Sequence, residues 1–146
     1  VEISDDALRI SNLIGQIINN EGGCALIIDY GDWHSLGSTL QAVKSHKVAK
    51  IFDRPGEVDL TCHVDFEALA TNSGCAYSKL TAQGVFLERL GISDRANLLL
   101  KNSKPEYKHS IISAHRRLTH PDEMGTLFKV LGLFPKDQNS PAGLVR

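Results

Sequence analysis

Apolar residues recur at helical spacing near the start of the chain. Ala7, Ile10, Ile14, Ile17 and Ile18 predict an amphipathic helix. Ser4 ahead of Asp5 and Asp6 supplies its start, because a serine oxygen caps free N–H groups and acids suit the positive end of the helix dipole. Gly22 and Gly23 end it. The pattern then changes. Residues 23–31, Gly-Cys-Ala-Leu-Ile-Ile-Asp-Tyr-Gly, are an apolar run closed by a carboxylate, an aromatic ring and a glycine. They predict a buried strand over residues 24–29, ending at the carboxyl edge of a sheet. Open α/β sheets bind their ligands at that edge. Helix, glycine stop and buried strand make the αβ part of a βαβ unit.

Residues 31–65 are punctuated by Gly31, Gly37 and Pro55-Gly56, and hold short apolar pieces at 40–43 and 48–52 that read as brief strands or turns. Long ordered connections of this kind are often functional. A second helix is predicted from about Asp65, with Phe66, Leu69 and Ala70 inward and a stop at Asn72-Ser73-Gly74. Residues 75–82 alternate weakly and predict a strand. Val85, Phe86, Leu87 and Leu90 predict a short helix closed by Gly91, and Leu98, Leu99 and Leu100 another. Pro105 suits the first turn of a further helix, continued by Tyr107, Ile111, Ile112, Ala114 and Leu118. Residues 127–134 are apolar except for Lys129 and Gly132, and predict the last strand. From Pro135 the chain turns polar and is expected to fray.

A helix-bearing crossover makes the strands at 24–29 and 75–82 parallel, with the last strand antiparallel. The expected fold is α/β: the closing half of a doubly wound sheet, about three mixed strands with additional helices over residues 1–134, and a flexible tail over 135–146. A doubly wound sheet does not begin this late, and the chain starts at Val1 rather than at methionine. It reads as the second half of a larger α/β enzyme. One edge of the strand at 24–29 is then left unpaired, which invites self-association or a partner.

Composition narrows the function classes. A formal net charge of −1 over 146 residues argues against a strong grip on nucleic acid or an anionic membrane surface. No apolar run approaches the roughly 18 residues of a membrane span. Cys24, Cys62 and Cys75 form no Cys-x-x-Cys pair and read as reduced structural thiols, Cys24 as a small buried hydrophobe within its strand. Neither Gly-x-Gly-x-x-Gly nor Gly-x-x-x-x-Gly-Lys is present, so this stretch carries no phosphate-cradling loop. His34 lies near Ser35, Ser38 and Thr39, but Gly-x-Ser-x-Gly is absent, which disfavours half of an α/β hydrolase.

The candidate chemistry gathers in three places. Asp29 reads either as a substrate-orienting or proton-accepting carboxylate, or as a turn cap with Gly31 supplying a positive φ. In the segment from Arg54 to Phe66, Asp59, Thr61, His63 and Asp65 fall at alternate positions and share one side if the chain is extended. Asp65 reads as the cap of the following helix, Asp59 and His63 as site residues. His46, His63 and these acids lack a tight ligand spacing, so no metal is expected. Gln83 and Gly84 sit where a strand passes into a helix; Gln83 is placed to donate to a ligand, and Thr81 to cap the helix. His115, Arg116, Arg117 and His120 read as a solvated helix face.

Five segments carry a resemblance: GCALIIDYG (23–31), STLQAVKSH (38–46), PGEVDLTCHVDF (55–66), QGVFL with Leu90-Gly91-Ile92 (83–92), and Met124-Gly125 with Phe128-Lys129-Val130-Leu131. Their order and spacing over residues 1–131 resemble the MidA-like S-adenosylmethionine-dependent methyltransferases. The resemblance implies the last three strands of a seven-strand class I sheet. It also implies a protein-arginine methyltransferase that assists assembly of respiratory complex I. The compartment would be the mitochondrial matrix in a eukaryote and the cytoplasm in a bacterium, the partner a protein substrate. The family's cofactor loop and its Asn-Glu strand lie upstream of the matched region, so cofactor residues are expected before Val1 and the isolated chain is expected to be inactive. The matched positions are Asp29, Tyr30, Gly31, Asp59, Thr61, Asp65, Gln83 and Gly84; Tyr30, Gly31, Thr61, Gln83 and Gly84 would lie on the substrate side, and Asp29, Asp59 and His63 would orient the substrate, the two acids suiting bidentate contact with a guanidinium. The competing class is a non-catalytic binding module that keeps only a partner surface.

Overall fold

A computed structural model of the chain describes residues 4–45, 47–53 and 55–146; Val1, His46 and Arg54 lie outside the described residues. Helix α1, Asp5–Glu21, starts where its cap predicts, with Ala7 N–H donating to Ser4 Oγ at 3.3 Å. Gly22, at φ 79°, ends it by donating to Ile18 O. Helix α2, Phe66–Asn72, lies along α1. Ser11 Oγ donates to Leu69 O at 2.7 Å and Asn12 Nδ2 to Asn72 O at 3.2 Å. The helices approach so closely that a Cβ at Gly15 would overlap the carbonyl of Ser73.

The main sheet is built on β1, Ala25–Asp32, and β8, Phe128–Phe134. They pair antiparallel from Ala25↔Leu133 to Tyr30↔Phe128. The far side of β8 takes two short pieces, β6, Ala76–Tyr77, and β7, Thr81–Ala82, also antiparallel. The strands on either side of β8 are parallel to each other and β8 is antiparallel to both, the directions expected; the last strand of the chain sits between them. Residues 75–82 are not one strand, however. Tyr77 pairs with Leu133 and Thr81 with Val130, four residues against three, so one extra residue bulges out. The buried Ser78 closes this bulge: its N–H donates to Gly132 O and its Oγ accepts from Gly132 N–H, both at 2.9 Å.

After β1 the chain leaves the sheet as an arm. Its strands β2, Gln41–Lys44, β3, Lys47–Ala49, and β4, Asp59–Thr61, form a separate antiparallel sheet in the order β3-β2-β4. It returns as β5, Val64–Asp65, parallel to Gly31 and Asp32 of β1. One face of the main sheet packs Leu131 and Leu133 with Ile18, Phe66, Ala70 and Cys75. The other packs Val130 under Phe86 of α3, Gln83–Arg89. Helices α4, Ile92–Asn102, and α5, Pro105–Thr119, lie outside this core and bury no residue fully. An irregular helical turn, Pro121–Gly125, leads into β8.

Two expectations are corrected here. The tail packs rather than frays: Leu144 is buried against Phe86 and Val130, and Val145 O accepts from Lys79 N–H at 2.8 Å. Its polar composition conceals this apolar anchor. Cys24 is exposed, because the strand begins one residue later, at Ala25.

Along Ala25–Tyr30, β1 has a partner only on the β8 side among the described residues. Leu26 and Ile28 stand half-exposed on that strand. Ile10, Leu13 and Ile17, about half-exposed, form a stripe on α1. At 100° per residue this stripe lies on the flank opposite Asn12 and Asn19, which bond to Asn72 O and Gly74 O.

Gly15→Ala tests the α1–α2 contact. Alanine would add about 1 kcal/mol of helix propensity, but it must push the helix off the Ser73 carbonyl. A net loss of about 1–3 kcal/mol is expected, read as a lower denaturant midpoint. A gain in stability would refute the close packing.

Candidate functional site

The carboxyl end of β1 is held by two strands, β8 on one side and β5 on the other. Asp29, Lys129 and Ala82 form a row across β1, β8 and β7. Asp29 is half-buried and accepts the Tyr30 N–H on Oδ1 at 2.8 Å, a local bond that occupies one of its two carboxylate oxygens. Tyr30 lies between two rings in edge-on contact, His63 at 5.7 Å and Phe128 at 5.5 Å between centroids. Gly31 has the expected positive φ, 159°, and a close approach adds to it: a Cβ there would overlap the backbone of Val64 in β5.

Lys129 fixes this end of the sheet. Its Nζ donates to Gly31 O at 3.1 Å, Thr126 O at 2.9 Å and Leu127 O at 3.4 Å. A half-buried ammonium is costly without such partners. Neither Lys129 nor Phe128 was singled out as a site residue. The available signal was a lysine interrupting an otherwise buried strand.

The polar ladder of residues 59–65 is divided between two sheets. Asp59 and Thr61 belong to β4, opposite Val43 and Gln41 of the arm, and Asp59 is exposed. His63 lies at the joint, its N–H held by Thr39 Oγ1 at 2.9 Å. Asp65 is the helix cap expected: Oδ1 accepts from Ala68 N–H at 2.9 Å and Oδ2 from Ser35 N–H at 3.2 Å. Tyr30, Gly31 and His63 are thus brought together beside Asp29, while Asp59 stands apart on the arm.

Gln83 and Gly84 have packing partners. Gln83 is buried and donates from Nε2 to Leu118 O at 2.9 Å. A Cβ at Gly84 would come within 2.5 Å of Thr119 O. Thr81 does not cap α3; its hydroxyl donates to Lys79 O. Arg116 and Arg117 are exposed, as expected of a solvated face, while His115 and His120 are half-buried. Ser93 Oγ lies 3.1 Å from His115 Nε2 and donates to Glu88, and Arg116 Nε meets Glu123 Oε1 at 2.8 Å. Among the described residues no three His, Cys, Asp or Glu side chains gather into a metal-binding group, and no helix is long and apolar enough to cross a membrane.

Residues 1–86, more than half of the chain, match the family model described as "Putative S-adenosyl-L-methionine-dependent methyltransferase". The chain belongs to this family. The protein arginine methyltransferase NDUFAF7 homolog, mitochondrial, of Drosophila melanogaster is 36% identical over 139 residues, covering 92% of this chain and 32% of that protein. The human protein arginine methyltransferase NDUFAF7, mitochondrial, is 32% identical over 138 residues, covering 92% and 31%. Among solved structures, an uncharacterized superfamily member from Burkholderia thailandensis is 25% identical with a TM-score of 0.82, covering 99% of this chain and 41% of its own. A second from that organism, bound to S-adenosyl-homocysteine, is 27% identical with a TM-score of 0.70, covering 83% and 34%. The chain thus spans about a third of the length of the curated relatives it matches.

Lys129→Met removes the ammonium and leaves the carbonyl of Gly31 without that donor. A stability loss of about 1–3 kcal/mol is expected, with faster amide exchange confined to the paired ends of β1 and β5. Unchanged exchange there would show that Lys129 does not hold this end of the sheet.

Proposed function

We propose that this chain is the acceptor-side part of a protein-arginine methyltransferase that moves a methyl group from S-adenosylmethionine to a guanidinium nitrogen. The observation that carries the reading is 36% identity, along nine-tenths of the chain, to a protein named as such a methyltransferase. The half-buried Asp29 at the carboxyl end of β1 suits it chemically, since a carboxylate orients a cationic guanidinium with charge-assisted hydrogen bonds. His63, beside Tyr30, is proposed to share that task, and the exposed Asp59, apart on the arm, to meet the acceptor from the arm's side, with Tyr30, Gly31 and Thr61 framing it. Gln83 and Gly84 shape the adjoining wall through their contacts with the end of α5. The acceptor is proposed to be a subunit of respiratory complex I, in the mitochondrial matrix for a eukaryotic source; a bacterial member would act in the cytoplasm.

Among the described residues we infer no cradle for the cofactor. In the first turn of α2 the Ala68 N–H is engaged by Asp65 Oδ1 and the Glu67 N–H by Trp33 O, and no glycine-rich turn joins a described strand to a helix. The cofactor contacts are therefore assigned to the part of the polypeptide that the relatives carry beyond the matched stretch. The open edge of β1, the α1 stripe and the exposed Leu26 and Ile28 support a sheet that continues on this side. Without that continuation, the same edge is proposed to pair with a second copy.

Calorimetry on residues 1–146 is expected to show no micromolar binding of S-adenosylmethionine, and sedimentation of the same sample to show concentration-dependent association. Micromolar cofactor binding would overturn the assignment of the cofactor site, and a clean monomer the pairing across β1.

In a longer polypeptide that includes the cofactor half, Asp29→Asn and Asp59→Asn are each expected to lower turnover about ten- to a hundredfold, or roughly 1.5–3 kcal/mol, with an unchanged melting temperature. Asparagine caps turns about as well as aspartate, so unchanged turnover would make both acids structural. A longer polypeptide that binds no cofactor would favour the non-catalytic module.

A further inference from the structure

A cavity of about 670 Å³ opens at the edge of the main sheet that carries β6. This is the edge away from the open side of β1. Trp33, Tyr77 and Leu80 supply its apolar wall, and Lys79, Lys136 and Arg146 also line it. The two rings lie 5.8 Å apart between centroids at a tilt of 38°. None of these residues takes part in the site at Asp29 and Tyr30.

The tail brings the cations together. Val145 O accepts from Lys79 N–H at 2.8 Å, which lays the tail beside β6. Arg146 donates to Lys136 O at 3.4 Å, and its guanidinium stands 5.9 Å over the Phe134 ring. Two lysines and an arginine thus line one cavity, and no Asp or Glu is among its described lining residues. Such charges repel one another, and an anion placed among them relieves the repulsion. The volume falls within the range of about 300–1,000 Å³ typical of small-ligand sites, which are mostly apolar with a few polar groups that fix orientation.

We propose that this cavity binds a small amphipathic carboxylic acid, its apolar body against Trp33, Tyr77 and Leu80 and its carboxylate among Lys79, Lys136 and Arg146. Lysine stems cover apolar surface while their ammonium groups stay in water, so one ligand can meet both parts of the wall. The site is independent of the methyltransferase reading.

Trp33 is the single tryptophan of the chain, so its fluorescence reports on this cavity. The probes are 4-nitrobenzoate, a quenching aromatic carboxylate, and its neutral amide, 4-nitrobenzamide, titrated into residues 1–146. The carboxylate is expected to quench saturably, and the amide to bind about tenfold more weakly or worse, the equivalent of one charge-assisted contact. The double variant Lys79→Gln with Lys136→Gln should lose about tenfold for the carboxylate and little for the amide, with unchanged far-UV circular dichroism. Lys79→Arg, which keeps the charge, should bind like the parent. Equal quenching by acid and amide, linear collisional quenching, or full affinity in the folded double variant would each overturn the proposal.

Discussion

The structure depends on β8 entering antiparallel between β1 and the β6–β7 edge. Six consecutive residue pairs join it to β1, and Val130 to Phe134 are all buried. Both packed layers rest on it: Leu131 and Leu133 meet α1 and α2 on one side, and Val130 meets Phe86 and Leu144 on the other. Each large apolar side chain buried in this way contributes roughly 1.5–3 kcal/mol. The strand that organises the sheet lies about a hundred residues after the strand it pairs with, so the core cannot close until distant segments meet. Long-range pairing of this kind slows folding and leaves strand edges open meanwhile.

Much of the fold was legible because its signals are local. Ser4 and Asp65 mark helix starts through the hydrogen bonds of a single turn, Pro105 does so through its fixed φ, and the apolar run at 25–28 needs no partner to declare itself. The features that were missed depend on a neighbour remote in sequence. Ser78 reads as one polar position in an alternating strand, yet it is buried because Gly132 offers it both a donor and an acceptor. Gly31 reads as a positive-φ glycine, which it is, yet the approach of Val64 that also excludes a side chain has no local signal. Leu144 is one apolar residue in a polar tail, and only the groove beside Phe86 gives it a place.

The candidate site divides along the same line. Asp29 and Tyr30 were visible because they close a hydrophobic run. Lys129 gains its role from three carbonyls, one of them in β1. The alternation of residues 59–65 was real as a pattern, but it could not reveal that the chain changes sheets between Thr61 and Val64. Spacing along an extended segment implies a shared face only while the segment remains in one sheet.

The arm between Asp32 and Val64 is rooted on adjacent, paired strands. Gly31 and Asp32 lie against Val64 and Asp65, so its two stems are clamped together whatever lies between them. The entropy of closing such a loop grows only slowly, by about 0.6 kcal/mol for each doubling of length. The arm is therefore a module that can lengthen, shorten or change its tip while the sheet keeps its register. Surface carried there can diversify without a matching change in the core that holds Asp29 and Tyr30.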